Sequence, residues 1–323
     1  MPVFLPTLKQ NGFLDDIHVT ICNVGSRKLS SQDDYGAGGW NIFAPNLTIY
    51  GFDADADACE AAEADLEERG INWTEKHIPL ALGKSIGEAT LYVTKHPMCS
   101  SLYEPNEPFL ARFANLAEVS NLDFTVEIET TTLDAFCQGE GINNIDFLQI
   151  DVQGADLQVL QGASEMLNRG VLGVQIEVEF SPLYLNQPLF ADVDIYLRNL
   201  GFSLLDLGFG RRPRACSPIV SNNHPGQILW GDAFYLQDPI GQNLNLVIQQ
   251  PDKILKLACV ADALGFLDYA LELLEYLTVN YGENPQYNCA EIIIKSLSQL
   301  PTLVDVDLDS LPVVNNIRPY LNK

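Results

Sequence analysis

Positive charge is scarce in this chain: 18 lysines and arginines face 43 aspartates and glutamates, for a formal charge of −25. A field of that sign repels polyanions, so neither nucleic acid nor an anionic membrane surface is expected as a partner. Long apolar runs are missing too, and the amino-terminal MPVFLPTLKQNGFLDD has no basic stretch leading into an apolar one. A soluble, cytoplasmic protein is the expectation. Paired cysteine spacings are absent: Cys22, Cys59, Cys99, Cys137, Cys216, Cys259 and Cys289 are scattered, which fits neither a zinc site nor a disulfide framework and leaves buried, reduced thiols. The sequence also lacks a GxGxxG turn after its first apolar segment. CNVGSRKLSS carries one glycine and YGAGGW comes too late, so backbone amides do not converge on a pyrophosphate there and NAD-dependent hydride transfer is disfavoured.

What is present is a repeating pattern, in a chain of 323 residues that is 47% apolar. IHVTICNV (17–24) and LTIYGFD (47–53) read as buried strands, ADACEAAEADLEERG (56–70) as a surface helix, and WTEKHIPLAL (73–82) as a third strand. GEATLYVT and FTVEIET follow as strands and TTLDAFC as a short helix capped by threonine. VLGVQIEVEF, DVDIYLRNLG, FSLLDLGF and QILWGDAFYLQ then read as strand, helix, strand, strand. This alternation predicts a doubly wound, Rossmann-like α/β sheet over residues 1–240, closed by one antiparallel strand. Beyond the linker DPIGQNLN three amphipathic segments predict a helical module over 241–323. Such a unit is too small to bury both of its faces, so it is expected to pack on the main domain or to join a second copy in a homo-oligomer.

The segment IDFLQIDVQGADLQVLQGA (145–163) carries the strongest chemical signal, an apolar strand ending on Asp151 and turning through Gly154 into a helix. Carboxyl ends of parallel strands open into the crevice where such sheets bind ligands. Asp53 ends the second strand, where a carboxylate can accept both hydroxyls of a ribose or else cap the helix that follows. Asp151 and Glu177 end neighbouring strands. With Asp156 they are candidates to take a proton from an acceptor hydroxyl, as are Glu179, His96 and His224, and two such carboxylates also suit a magnesium ion. Arg211, Arg212 and Arg214 crowd GFGRRPRACSP; Arg212 and Arg214, with His224 in the following loop, are candidate contacts to an anionic acceptor, or a solvated loop paired with the acidic surface.

These motifs together resemble the FkbM-type methyltransferase family. NVGS, GFDADADAC, PLALG, the SSL of 100–102, TTLDAFC, the 145–163 signature, QIEVEF and LWGDAFYL carry the likeness over about residues 15–240. The resemblance implies a class I methyltransferase that uses S-adenosylmethionine to methylate a hydroxyl of a small, carbohydrate-like acceptor. It implies that Asn23, Gly25 and Ser26 line the methionine end of the cofactor, that Asp53 holds the ribose, and that the loop after Leu82 lies near the adenine. The chain departs from the family pattern at Asn23 and Ser26 in the first motif and at Gln149, Gln153 and Asp156 in the signature. A noncatalytic binding or scaffolding protein that keeps the fold is the other expectation those departures raise.

Overall fold

The structure, a computed structural model, describes residues 1–28, 39–241, 247–303 and 307–321. Most of the glycine-rich YGAGGW cluster and the second half of the linker DPIGQNLN lie outside the described residues.

Strands β1 (Val19–Val24), β2 (Leu47–Phe52), β3 (Thr74–Ile78), β7 (Phe147–Ile150) and β8 (Gly173–Glu179) run parallel, in the order β3-β2-β1-β7-β8. The order reverses at β1: the chain runs to one side through β2 and β3, then crosses back to the other through β7 and β8, and this opens a crevice beyond the carboxyl ends of β1 and β7. β11 (Gln227–Gln237) is antiparallel to β8 and also pairs with β9 (Phe202–Leu207) and β10 (Gly210–Arg212), so among the described residues eight strands form this sheet. The expected antiparallel strand is therefore present, but inside the sheet rather than along its edge. A smaller sheet of β4 (Ala81–Leu82), β6 (Leu122–Thr131) and β5 (Gly87–Thr94) stands over the crevice.

Two expected elements are divided. The single strand 73–82 becomes β3 and β4 in different sheets, because Pro79 has no amide hydrogen to continue the ladder. The helix after the signature strand becomes α6 (Asp156–Gly162) and α7 (Ser164–Arg169), broken where Gly162 lies against the Gly83 carbonyl; a Cβ there would sit 2.1 Å from that oxygen.

Helices cover both faces. On one, α5 (Leu133–Glu140), α6, α7 and α8 (Phe190–Asn199) bury Leu133, Leu160, Leu167 and Val193 against Val24, Leu148, Ile150 and Val174. On the other, α1 (Leu5–Gln10) meets the helices α9 (Pro251–Leu264), α10 (Leu267–Tyr281), α11 (Ala290–Leu297) and α12 (Pro312–Ile317) in one apolar cluster with Val19, Ile21, Leu47 and Ile49. Buried carboxylates fasten this layer. Asp262 of α9 accepts from the amides of Val3, Phe4 and Leu5, which caps α1. Asp146, at the start of β7, accepts twice from Lys256 Nζ of α9 at 2.9 Å and from Thr20 N at 2.8 Å. The surface helix α2 (Ala56–Arg69) starts at Asp55, whose side chain accepts from Asp57 N and Ala58 N, and α3 (Glu107–Leu110) and α4 (Ala117–Ser120) are single turns between β5 and β6. All seven cysteines are free thiols; five are buried, Cys99 is half-buried, and Cys216, contrary to expectation, is exposed.

Candidate active site

A cavity of about 660 Å³ opens beyond the carboxyl ends of β1, β2 and β7, and Val24, Gly25, Asp53, Leu82 and Asp151 are among the residues that line it. Its volume falls in the range of small-molecule and cofactor sites. The roof is apolar: alternation along β6 directs Phe124, Val126 and Ile128 to the cavity, beside Leu91 and Val93 of β5. Phe124 and Val126 remain 54% and 41% exposed, so this wall presents unburied apolar surface to whatever enters.

Gly25 makes the floor possible. Its φ is +85°, and a Cβ there would lie 1.9 Å from the carbonyl oxygen of Asp151. Only glycine lets the β1 and β7 loops approach this closely. The amides of Gly25 and Ser26 both donate to Phe52 O at 2.9 Å, which binds the same loop to the end of β2. Asp53 follows directly. Its Oδ1 accepts from Asp55 N at 2.8 Å, and Arg27 Nη2 lies 3.5 Å from it while also pairing with Asp55. The capping role considered for Asp53 thus belongs to Asp55, and the Asp53 carboxylate faces the cavity.

At the β7 end, Asp151 and Glu177 are held by one amide. Gln153 Nε2 donates to Asp151 Oδ1 at 2.8 Å and to Glu177 Oε2 at 2.6 Å, and its Oε1 lies 3.0 Å from the Tyr184 hydroxyl. Gln153 adopts this position at a φ of +57°, uncommon for a residue with a side chain. Ser101 Oγ holds its carbonyl at 2.7 Å, and Asp156 accepts from Val152 N at 3.0 Å and Gly154 N at 2.8 Å on either side. Burial raises the pKa of Asp151; it raises that of Glu177 well above the usual carboxylate range, with the negative charge of Asp151 adding to the effect. Burial, then the charge of Asp151, pushes Asp156 up to about 7. Glu179, two residues beyond Glu177, is 3% exposed with a buried Oε1 that has no hydrogen-bond partner among the described residues.

Several expected site residues stand elsewhere. Ser26 is buried, its hydroxyl 3.3 Å from His77 Nδ1 rather than in the cavity. The Asn23 side chain projects on the opposite face of β1 from Val24, beside Gln149 in register, and its buried Oδ1 has no partner among the described residues. Asp156 is occupied by the two amides that fold its loop. Arg212 and Arg214 lie on a separate wall described below, and His224 sits on an exposed loop with its amide 3.2 Å from Ser221 Oγ. The magnesium expectation gains no support: Asp151 and Glu177 share the Gln153 amide, and no group of three or more His, Cys, Asp or Glu among the described residues is arranged to hold a metal. Residue type alone gave no sign of Tyr184 or Arg27. Gln153 was visible only as a departure from a family pattern.

The sequence pattern of the methyltransferase FkbM domain matches residues 38–204, about half of the chain. The chain belongs to the FkbM methyltransferase family. That region holds β2, the small roofing sheet, the Asp151 turn and β8. No curated protein matches the chain. Among solved structures, it is similar to an FkbM methyltransferase from Methylobacillus flagellatus at 11% identity and a TM-score of 0.39, over 68% of this chain and 43% of that one. It is also similar to TrmK of M. capricolum in complex with S-adenosyl-homocysteine, at 12% identity and a TM-score of 0.34, over 97% and 96% of the two chains. As an FkbM protein the chain keeps the acid and turn of the signature strand in IDVQG. No helix among its described residues is long and apolar enough to cross a membrane.

Proposed function

We propose that this FkbM-family chain is an S-adenosylmethionine-dependent methyltransferase acting on a hydroxyl of a small, carbohydrate-like acceptor. The observation that carries the reading is the convergence of Gly25, Asp53 and Asp151, from the ends of three adjacent parallel strands, on one cavity. These residues suit the cofactor. Asp53 supplies a carboxylate for ribose hydroxyls, Gly25 permits close backbone approach, and the apolar side chains of Leu82, Leu102 and Ile128 offer a surface for adenine. When bound, S-adenosylmethionine supplies an electrophilic methyl group on a sulfonium.

The chain itself orients the acceptor, excludes water beneath the β5–β6 roof and takes up the hydroxyl proton. Asp151 is the residue we assign to that last step, because it lines the cavity and its raised pKa favours holding a proton once taken. A positioned base of this kind contributes about 10²–10⁴-fold. Glu177 and Gln153 position it. Calorimetric titration with S-adenosylmethionine, S-adenosylhomocysteine and NAD tests the reading. Binding of the first two alone is expected, and Asp53→Ala should weaken it by about tenfold or more without moving the melting temperature. Asp55→Ala should instead cost about 1 kcal/mol of stability through loss of the helix cap. Binding of NAD alone, or of none of the three, sinks the proposal; binding without methyl transfer to any acceptor favours the noncatalytic reading.

A further inference from the structure

The chain contains nine arginines, and they divide into two groups. Arg27, Arg69, Arg169, Arg198 and Arg318 each pair with a carboxylate at 3.5 Å or less. Arg112, Arg211, Arg212 and Arg214 pair with none among the described residues, in a protein with 43 acidic side chains available. Each guanidinium lies over an aromatic ring: Arg112 over Phe109 at 5.4 Å, Arg211 over Phe209 at 5.9 Å, Arg212 over Trp230 at 4.7 Å and Arg214 over Phe113 at 4.4 Å. Phe109, Phe113 and Trp230 belong to one cluster, so Arg112, Arg212 and Arg214 share it, whereas alternation along the strand turns Arg211 and Phe209 to the other face. Stacking on a ring engages the flat face of a guanidinium. Arg211 Nη1 donates to Gly226 O at 3.3 Å, Arg212 Nη1 to Arg211 O at 3.0 Å and Arg214 Nη2 to Gln227 Oε1 at 2.7 Å, and the other in-plane N–H groups remain to bond an anion.

The backbone holds this group in place. Phe113 and Arg214 form an antiparallel bridge, Ala215 N donates to Arg112 O at 3.0 Å, and Arg211 and Arg212 lie in β10, paired to β11. The rings beneath belong to the structure that holds the proposed active site. Phe113, Phe109 and Trp230 pack in one cluster with Tyr184, whose hydroxyl meets Gln153, and Trp230 lies opposite Glu179 on the neighbouring strand. The solvated-loop expectation, in which these arginines pair with the acidic surface, is therefore not what the structure contains.

We infer that this wall is an anion receptor and that the acceptor carries a phosphate ester or diphosphate beside the hydroxyl to be methylated. Three guanidiniums carried on one aromatic cluster suit an anion with many oxygens and more than one charge, which a diphosphate provides and a single carboxylate does not. The assignment to the acceptor rests on the methyltransferase reading; the anion site itself does not.

The test is titration of the full chain with pyrophosphate, uridine diphosphate and a short single-stranded oligonucleotide at constant ionic strength, with S-adenosylhomocysteine titrated separately on the same preparation. Pyrophosphate and uridine diphosphate are expected to bind. Arg212→Gln combined with Arg214→Gln should weaken both at least about tenfold, as should Arg112→Gln, while leaving S-adenosylhomocysteine binding and the melting temperature unchanged. Arg212→Lys keeps the charge without the fork and should fall between. Absence of pyrophosphate binding, or binding that the substitutions do not change, overturns the inference. Tighter binding of the oligonucleotide than of uridine diphosphate overturns the small-molecule assignment. If pyrophosphate binds and S-adenosylhomocysteine does not, the receptor stands and its link to methyl transfer falls.

Discussion

Gln153 satisfies three neighbours with one side chain, donating to two carboxylates and lying within reach of a tyrosine hydroxyl. Its two amide protons let Asp151 and Glu177 lie close together while either is charged. A carboxyl at this position would add a third acid to the pair. Buried beside them, that acid would have a raised pKa, so the folded state would bind more protons than the unfolded one. The stability of such a variant is greatest below the ordinary carboxylate range and is lost as pH rises. Thermal melts of Gln153→Glu against the parent should therefore show a deficit that widens from about pH 5 to about pH 8, reaching roughly 1–3 kcal/mol. A deficit constant across that range would mean the amide only fills space. At this scale the sequence was partly legible. That Asp53, Gly25 and Asp151 line the cavity could be read because strand ends have a known direction. Where the Ser26, Asn23 and Asp156 side chains face was not legible, because facing depends on local turns, and a short polar residue in a turn readily bonds the nearest amide or side chain.

Among the elements, α9 is attached to the sheet by a buried ion pair. Asp146 is wholly buried and meets Lys256 at 2.9 Å through both carboxylate oxygens, with Thr20 N as a third partner. Asp146→Ala leaves the Lys256 ammonium half-buried and Thr20 N unpaired, and should cost about 3–5 kcal/mol, measured by urea unfolding. A loss under about 1 kcal/mol would mean that packing alone holds the helix. Strands with clear apolar runs, such as β1, β2 and β8, could be read from the sequence nearly to their ends. β10 could not be, because its three residues pair only through the tertiary register of β11. α1 was also missed, since its amino terminus is capped by Asp262, which lies 257 residues away from Leu5 in the chain.

For the molecule as a whole, the carboxyl-terminal helices are part of the same core as the sheet. Phe4, Leu5, Val19, Ile21, Leu47 and Ile49 are each at most 2% exposed beneath or beside them. Uncovering even these six side chains, at about 1.5–3 kcal/mol each, matches or exceeds the net stability of an ordinary domain. A chain ending at residue 241 should thus fail to fold, giving a noncooperative melt and strong binding of an apolar dye; a soluble fragment with a sharp transition would show that the module is separable. The sequence signalled these helices through their amphipathic stripes but could not say what the stripes cover, because periodicity reports that a face is buried and not against what.

The position of β11 between β8 and β9 has a consequence for how the protein is made. Translation delivers β8 and β9 before the strand that joins them, so each waits with an unpaired edge until β11, which ends at residue 237, has been synthesised. The sheet face under α9–α11 waits longer still, to about residue 297. Exposed edges and apolar faces of this kind are what chaperones bind and what aggregates through. Until those helices have been synthesised, the nascent chain is open to both.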